Sequence, residues 1–202
     1  MKRILSLMFV VLIVMSLCSC RTIVSLISDE VTSAVNEKLE SDTESQSDVE
    51  IQSTDGMITL SVPSSWKNVK GELNEEAIWE ACDYSKEQYL IVISESKIDF
   101  SDNFDLEQYT SLVKDNYSSL TDMQMTAESD TIINEYPAKY FEVSATVNNI
   151  KIQYYITTVE TKNYFYQFAG WTLLSKADNN RSVINNVVKT FNENSSSTAL
   201  TF

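Results

Sequence analysis

Two adjacent asparagines, Asn148 and Asn149, separate two long stretches rich in β-branched and aromatic residues, Ala138–Val147 and Ile150–Glu160. Asparagine tolerates positive φ, and a two-residue loop between long strands leaves the chain only one close pairing, an antiparallel hairpin. A lone hairpin is marginal in water, so this one needs further strands and a cover. The neighbouring sequence supplies them. Met57–Val62 alternates and stops at Pro63, with a turn into Trp66. Ala77–Tyr84 and Tyr89–Lys97 are strands joined by Ser85-Lys86-Glu87-Gln88, and Met123–Ile133 and Tyr164–Trp171 complete the set. Asp105–Leu120 places Leu106, Tyr109, Leu112, Val113, Tyr117 and Leu120 on one helical face, with Asp105 as N-cap and Gln108 three residues on. A second helix, from about Ala177 to Phe191, turns Val183, Ile184, Val187, Val188 and Phe191 inward. The order βββ-α-ββββ-α predicts an α+β domain: a largely antiparallel sheet of six to seven strands with flanking helices.

Composition removes several chemistries. Histidine is absent from all 202 residues, which takes away the commonest general base and zinc ligand. Three scattered glycines build no phosphate-cradling loop. A net charge of −14 leaves nothing to neutralise a run of phosphates, so nucleic acid is excluded as a partner. Ser-x-x-Lys occurs at Ser64, Ser94 and Ser111, and Ser101-Asp102-Asn103 is a further serine-hydrolase fragment. Lys-Thr-Gly is missing, however, and no serine among them opens a helix. Asp102, Asn103 and Asp105 lack the glycine and terminal glutamate of a calcium loop and read as a solvated cap. No catalytic residue, metal or cofactor is expected. Cys82, in an apolar strand pattern, reads as a buried small hydrophobe.

The chain opens with Lys2 and Arg3, a fourteen-residue apolar stretch Ile4–Leu17, and then Cys18-Ser19-Cys20. The stretch has signal-peptide length and is too short for a stable bilayer span. Leu17-Cys18-Ser19-Cys20 resembles the bacterial lipobox, which implies cleavage after Ser19 and lipidation of Cys20. Losing residues 1–19, two of them basic, shifts the net charge from −14 to −16. Ile23, Ile27, Val31, Val35 and Leu39 then form a helical stripe, a spacer or a short amphipathic contact. Glu40–Asp55 has six acids and no basic or aromatic residue, and reads as a flexible tether reaching about 20–24 Å. The expected organisation is a signal peptide over 1–19, a lipidated segment and tether over 20–55, a domain over 56–192 and a disordered tail over 193–202. The chain is then anchored to the extracytoplasmic face of the cell membrane through Cys20.

Ile58–Trp66 (ITLSVPSSW) is similar to the opening of PsbP-like domains. Ile133–Phe191 resembles their second half: a Pro-Ala turn at Pro137-Ala138, two long strands about Asn148-Asn149, the aromatic strand Tyr164–Phe168 and a closing helix. Glu135 departs from the pattern, standing where glycine is usual. The resemblance implies a sheet between helices acting as a binding or accessory module, with no catalytic residues. The aromatic residues Tyr154, Tyr164, Tyr166, Phe168 and Trp171 lie on neighbouring strands and form either core or a binding face for a protein or envelope ligand. The alternative is a hydrolase of cell-wall material working through paired carboxylates, which needs no histidine.

Overall fold

The computed structural model describes residues 48–194. The signal peptide, Cys20, the stripe Ile23–Leu39, residues 40–47 and the tail from residue 195 lie outside the described residues. The elements are β1 (Val49–Gln52), β2 (Ile58–Val62), β3 (Lys67–Asn68), β4 (Trp79–Asp83), β5 (Gln88–Ser96), α1 (Leu106–Tyr117), β6 (Thr121–Met125), β7 (Ser129–Ile133), β8 (Tyr136–Val147), β9 (Ile150–Glu160), β10 (Tyr164–Leu173), α2 (Ala177–Lys189) and β11 (Asn192–Glu193). The main sheet runs β3-β4-β5-β10-β9-β8-β6, with β7 also on β8. A small sheet runs β1-β2-β11. All strand pairs are antiparallel. The fold is α+β, with a largely antiparallel sheet and two helices.

Local signals explain most elements. Asn148 and Asn149 both take positive φ, 50° and 65°, and close the β8–β9 hairpin. The α1 capping box is complete: Asp105 Oδ1 accepts the Gln108 N–H at 2.9 Å, and Gln108 Oε1 accepts the Asp105 N–H at 3.2 Å. Glu135 sits at φ 74° beside Asn134 at 44°, the conformation that glycine usually supplies.

Three sequence expectations are corrected. Met123–Ile133 is two strands, because Thr126 leaves the ladder and bonds Glu142 through its N–H (3.0 Å) and its Oγ1 (2.9 Å). The first half of β8 consequently pairs β7 and the second half pairs β6. The boundary at Gly56 is too late. Val49 and Ile51 alternate inside the acidic stretch and pair Val62 and Leu60, and Trp79 Nε1 donates to the Ile51 carbonyl at 3.0 Å. The boundary at 192 is too early. Glu193 accepts the Tyr166 hydroxyl at 2.8 Å, and Asn194 Nδ2 donates to the Gly56 carbonyl at 2.8 Å. Acidic composition hid β1 although its partner β2 follows closely, and β11 escaped notice because its partner β2 lies at the other end of the domain.

The main sheet is covered on both sides. On one face α1 packs Tyr109, Val113 and Tyr117 against Phe141, Tyr154, Ile156 and Phe165. On the other, α2 and the small sheet pack Ile58, Leu60, Ile184, Val188 and Phe191 against Leu90, Tyr155, Tyr166 and Phe168. Gly170 lies under α2. A Cβ there would fall inside van der Waals contact with Ile184 Cγ2, on a branched side chain with little freedom to move.

Two outcomes follow from this packing. Gly170→Ala should destabilise by about 1–3 kcal/mol through overpacking, lowering the melting temperature by roughly 2–12 °C in calorimetry. Removing Asp48–Gln52 should strip the Trp79 partner and the β2 edge and cost about 2–4 kcal/mol. An unchanged melting temperature would return these residues to the tether.

Candidate functional site

The structure divides the five expected binding-face aromatics between the two cores. Tyr154 and Trp171 lie under α1; Tyr166 and Phe168 lie under α2 with Tyr164 partly buried beside them. Tyr166 and Phe168 are fully buried, and Tyr154 and Trp171 keep only 3% and 4% exposure. Alternation along two doubly covered strands sends these side chains to opposite faces, so they are core and do not form one surface. The Tyr154 hydroxyl has no hydrogen-bond partner among the described residues, and burial pushes its pKa up to about 12.

Glu142, Glu80 and Glu128 are engaged in holding the fold, whereas burial raises the pKa of half-buried Glu95 on β5. Glu142 takes a two-pronged contact from Arg181 on α2 (Nε 3.0 Å, Nη2 3.1 Å), the Tyr140 hydroxyl at 2.8 Å and Gln153 Nε2 at 3.2 Å. Glu80 is 3% exposed and accepts the N–H groups of Gly71 (3.0 Å) and Leu73 (2.8 Å), pinning the loop before β4. Glu128 bridges Lys114 at 3.0 Å and Lys139 at 3.2 Å, and its pKa is lowered, chiefly by the Lys114 bond. Cys82 is buried, and burial raises its thiol pKa. Among the described residues no group of three or more Cys, Asp or Glu side chains could hold a metal ion.

The surface that stands out lies at one pole of the sheet. A shallow, open depression of about 490 Å³ is lined by Asn149, Ile150, Lys151, Leu173, Leu174 and Ser175. Leu174 is 39% exposed. At the same sheet end the β4–β5 turn exposes Tyr84 (52%), set edge-on to Tyr89, which stacks on Trp171 at 5.2 Å. Lys86, Lys151 and Lys176 stand around this pole. Sequence reading stopped β10 at Trp171 and missed it; the signal was the apolar pair Leu173-Leu174 running into a polar turn.

Asp83 sets the turn. Its Oδ1 accepts the Ser85 hydroxyl (2.6 Å) and the Ser85 and Lys86 N–H groups (3.0 and 3.2 Å), and Lys86 Nζ lies 3.4 Å from Oδ2. Burial opposes the charged form, but Ser85, Ser65 and Lys86 together outweigh it and hold the carboxyl at about 2. Behind the turn runs a buried polar chain: Trp66 Nε1 donates to Gln88, Gln88 Nε2 to Asn180, and Asn180 Nδ2 to Thr172.

The sequence matches no protein-family model and no curated protein. Solved structures do match. The cyanobacterial PsbP protein CyanoP from Synechocystis aligns over 76% of this chain and 96% of its own, at 12% identity and TM-score 0.55. LpqN of Mycobacterium tuberculosis, described as involved in cell envelope biogenesis, aligns over 72% and 89% at 14% identity and TM-score 0.54. The Ran-binding protein Mog1p of Saccharomyces cerevisiae aligns over 74% and 96% at 14% identity and TM-score 0.51. At these identities the likeness is one of architecture: the chain has a PsbP-like fold.

Asp83 makes stability depend on pH. Its folded pKa lies below the unfolded value of about 3.9, so its contribution is complete above that value and lost as pH falls towards 2. Asp83→Asn should cost about 2 kcal/mol at neutral pH, roughly 4–8 °C in melting temperature. The gap to the unsubstituted protein should close between pH 4 and 2 in thermal melts.

Proposed function

We propose that this chain is a lipoprotein held at the extracytoplasmic face of the cell membrane by a lipid on Cys20. Its folded part then serves as a non-catalytic binding or accessory module for another envelope component. The observation that carries the anchor is local and chemical: Leu17 and Ser19 stand at the −3 and −1 positions before Cys20, behind a basic start and a fourteen-residue apolar stretch. No described helix is long and apolar enough to cross a membrane.

The module reading draws on the site chemistry. Glu80, Glu128 and Glu142 each spend their oxygens on backbone or cationic partners, so they hold the fold and are not poised in a cleft to act on a bond. It also draws on the range of proteins that share the architecture, among them one described by envelope biogenesis and one by Ran binding. A stable scaffold suits recognition, because function resides in surfaces grafted onto the fold.

Cells fed labelled palmitate should incorporate it into this chain, and Cys20→Ala should abolish the label and release the protein or leave an unprocessed precursor. Membrane retention of a processed, unlabelled form would refute lipidation. Crosslinking of the anchored protein in intact cells, followed by identification of the adduct, tests the binding role.

A further inference from the structure

We propose that Glu95, backed by the buried hydroxyl of Tyr109 and flanked by Phe100 and Phe104, receives a guanidinium group: an arginine side chain of a partner polypeptide whose apolar neighbours cover Ile98. This partner chemistry rests on the binding-module reading and sharpens it.

The niche follows from strand register. β5 runs to Ser96, but β4 pairs it only as far as Val92. Alternation puts Glu95 on the α1 face with Ile91 and Ile93, opposite Phe165 of β10. Around Phe165 the chain gathers aromatic rings. Tyr109 of α1 stacks on it at 4.7 Å, and Phe100 and Phe104 meet it edge-on at 5.6 and 5.8 Å. Phe100 and Phe104 stack on each other at 4.4 Å and stay partly exposed. Leu73 and Ala77, from the loop before β4, pack against the same cluster. A carboxylate thus stands at the rim of an apolar, ring-lined wall.

Two polar groups there are left over. Glu95 is half-buried and has no salt-bridge partner among the described residues; Lys97, on the same strand face, pairs Glu160 instead. Burial raises the Glu95 pKa, the Tyr109 hydroxyl opposes that rise, and the charges of Glu76 and Asp99 add to it. Tyr109 is 1% exposed, and its hydroxyl is turned to Glu95, yet no acceptor among the described residues meets bonding geometry there. A desolvated carboxylate without a cation, above a buried hydroxyl without a firm partner, works against folding. Glu80, Glu128 and Glu142 are each compensated; Glu95 is not.

Charge and shape point to the same ligand. With each group counted once, the acids Glu76, Glu95, Asp99 and Glu160 stand against the bases Lys97 and Lys162, a balance of −2. Lys97 already sets its ammonium 5.2 Å from the centre of the Phe165 ring, so the rings of this cluster accept a cation. Guanidinium suits the site better than ammonium. It is flat and weakly hydrated, and it can lie against a ring while donating two parallel hydrogen bonds to one carboxylate. Ile98 favours a polypeptide as the source. It sits on the turn Lys97–Asp99 directly after β5 and is 89% exposed. A free small cation leaves that side chain in water, whereas residues flanking an arginine cover it.

The test uses the chain from residue 20 carrying Cys20→Ser, titrated in solution with blocked tripeptides and followed by amide NMR shifts. Gly-Arg-Gly should move signals of residues 94–104 and of Tyr109. Gly-citrulline-Gly, of the same shape without the charge, should not. Leu-Arg-Leu should bind several-fold tighter than Gly-Arg-Gly, and Ile98→Ser should remove that gain. Glu95→Gln should weaken binding about tenfold or more, while Glu135→Gln, on the exposed β7–β8 turn, should leave it unchanged. Glu95→Gln should also melt at the same temperature or higher, which separates lost binding from lost folding. A lower melting temperature would place Glu95 among the groups that hold the fold and overturn the inference. So would the absence of shifts with every peptide, an equal response to citrulline, binding indifferent to Glu95→Gln, or equal affinity of the two arginine peptides, the result a free small cation predicts. In intact cells, a crosslinked adduct whose yield is untouched by Glu95→Gln would overturn it while leaving the binding-module reading in place.

Discussion

The structure depends on the central pair β9 and β10, whose residues are buried on both faces of the sheet over most of their length. A strand pair with apolar and aromatic side chains on both sides cannot leave either face to water, so the fold needs two covers. α1 supplies one. The other is composite, because α2 and the small β1-β2-β11 sheet share it. Gly170 lets α2 lie close to β10, and Phe191 at the end of α2 meets Tyr166 and Phe168 at 5.1 Å each. Each large side chain so buried contributes about 1.5–3 kcal/mol, which is why one free thiol and no disulfide among the described residues suffice.

Polar groups inside this apolar sandwich fix its register. Thr110 Oγ1 donates to the Leu106 carbonyl at 2.7 Å and lies 2.7 Å from Thr158 Oγ1, so the Thr158 hydroxyl donates to it and ties α1 to β9. On the other face Asn180 uses both ends of its amide, and the Arg181–Glu142 pair joins α2 to β8. Buried groups of this kind add little net energy when satisfied and cost much when misaligned, so they reject sliding of the helices. The same rigidity delivers Leu174 and the Asp83 turn to one pole.

The elements that were legible in the sequence carry their own local signals. Asp105 and Gln108 announce α1, Asn148-Asn149 announces the longest hairpin, and the stripe Ile184, Val187, Val188 announces α2. What was not legible depends on partners that no local signal announces. Val49 and Ile51 look like part of an acidic coil until β2 and Trp79 are beside them, and Glu193 is a tail residue until Tyr166 donates to it. The aromatic set failed as a site for a related reason. Strand alternation predicts which residues share a face, but not that a second layer covers each face, so a binding face at Tyr166 and Trp171 stays open beside the core reading until both helices are placed.

The divided partner of β8 has a bearing on how the protein survives at high local density. A long strand at the rim of a sheet offers a continuous row of backbone donors and acceptors that a second molecule can copy. Here β8 is screened by two five-residue strands separated by a break at Thr126, and the pairing of β6 is itself offset between Thr121 and Gln124. Lys139, gripped by Glu107, Glu128 and Asp130, adds charge along the same border. At the other rim β3 is only two residues long. Neither border of the main sheet presents a straight, uninterrupted template, so that sheet offers a second copy no ready edge to extend.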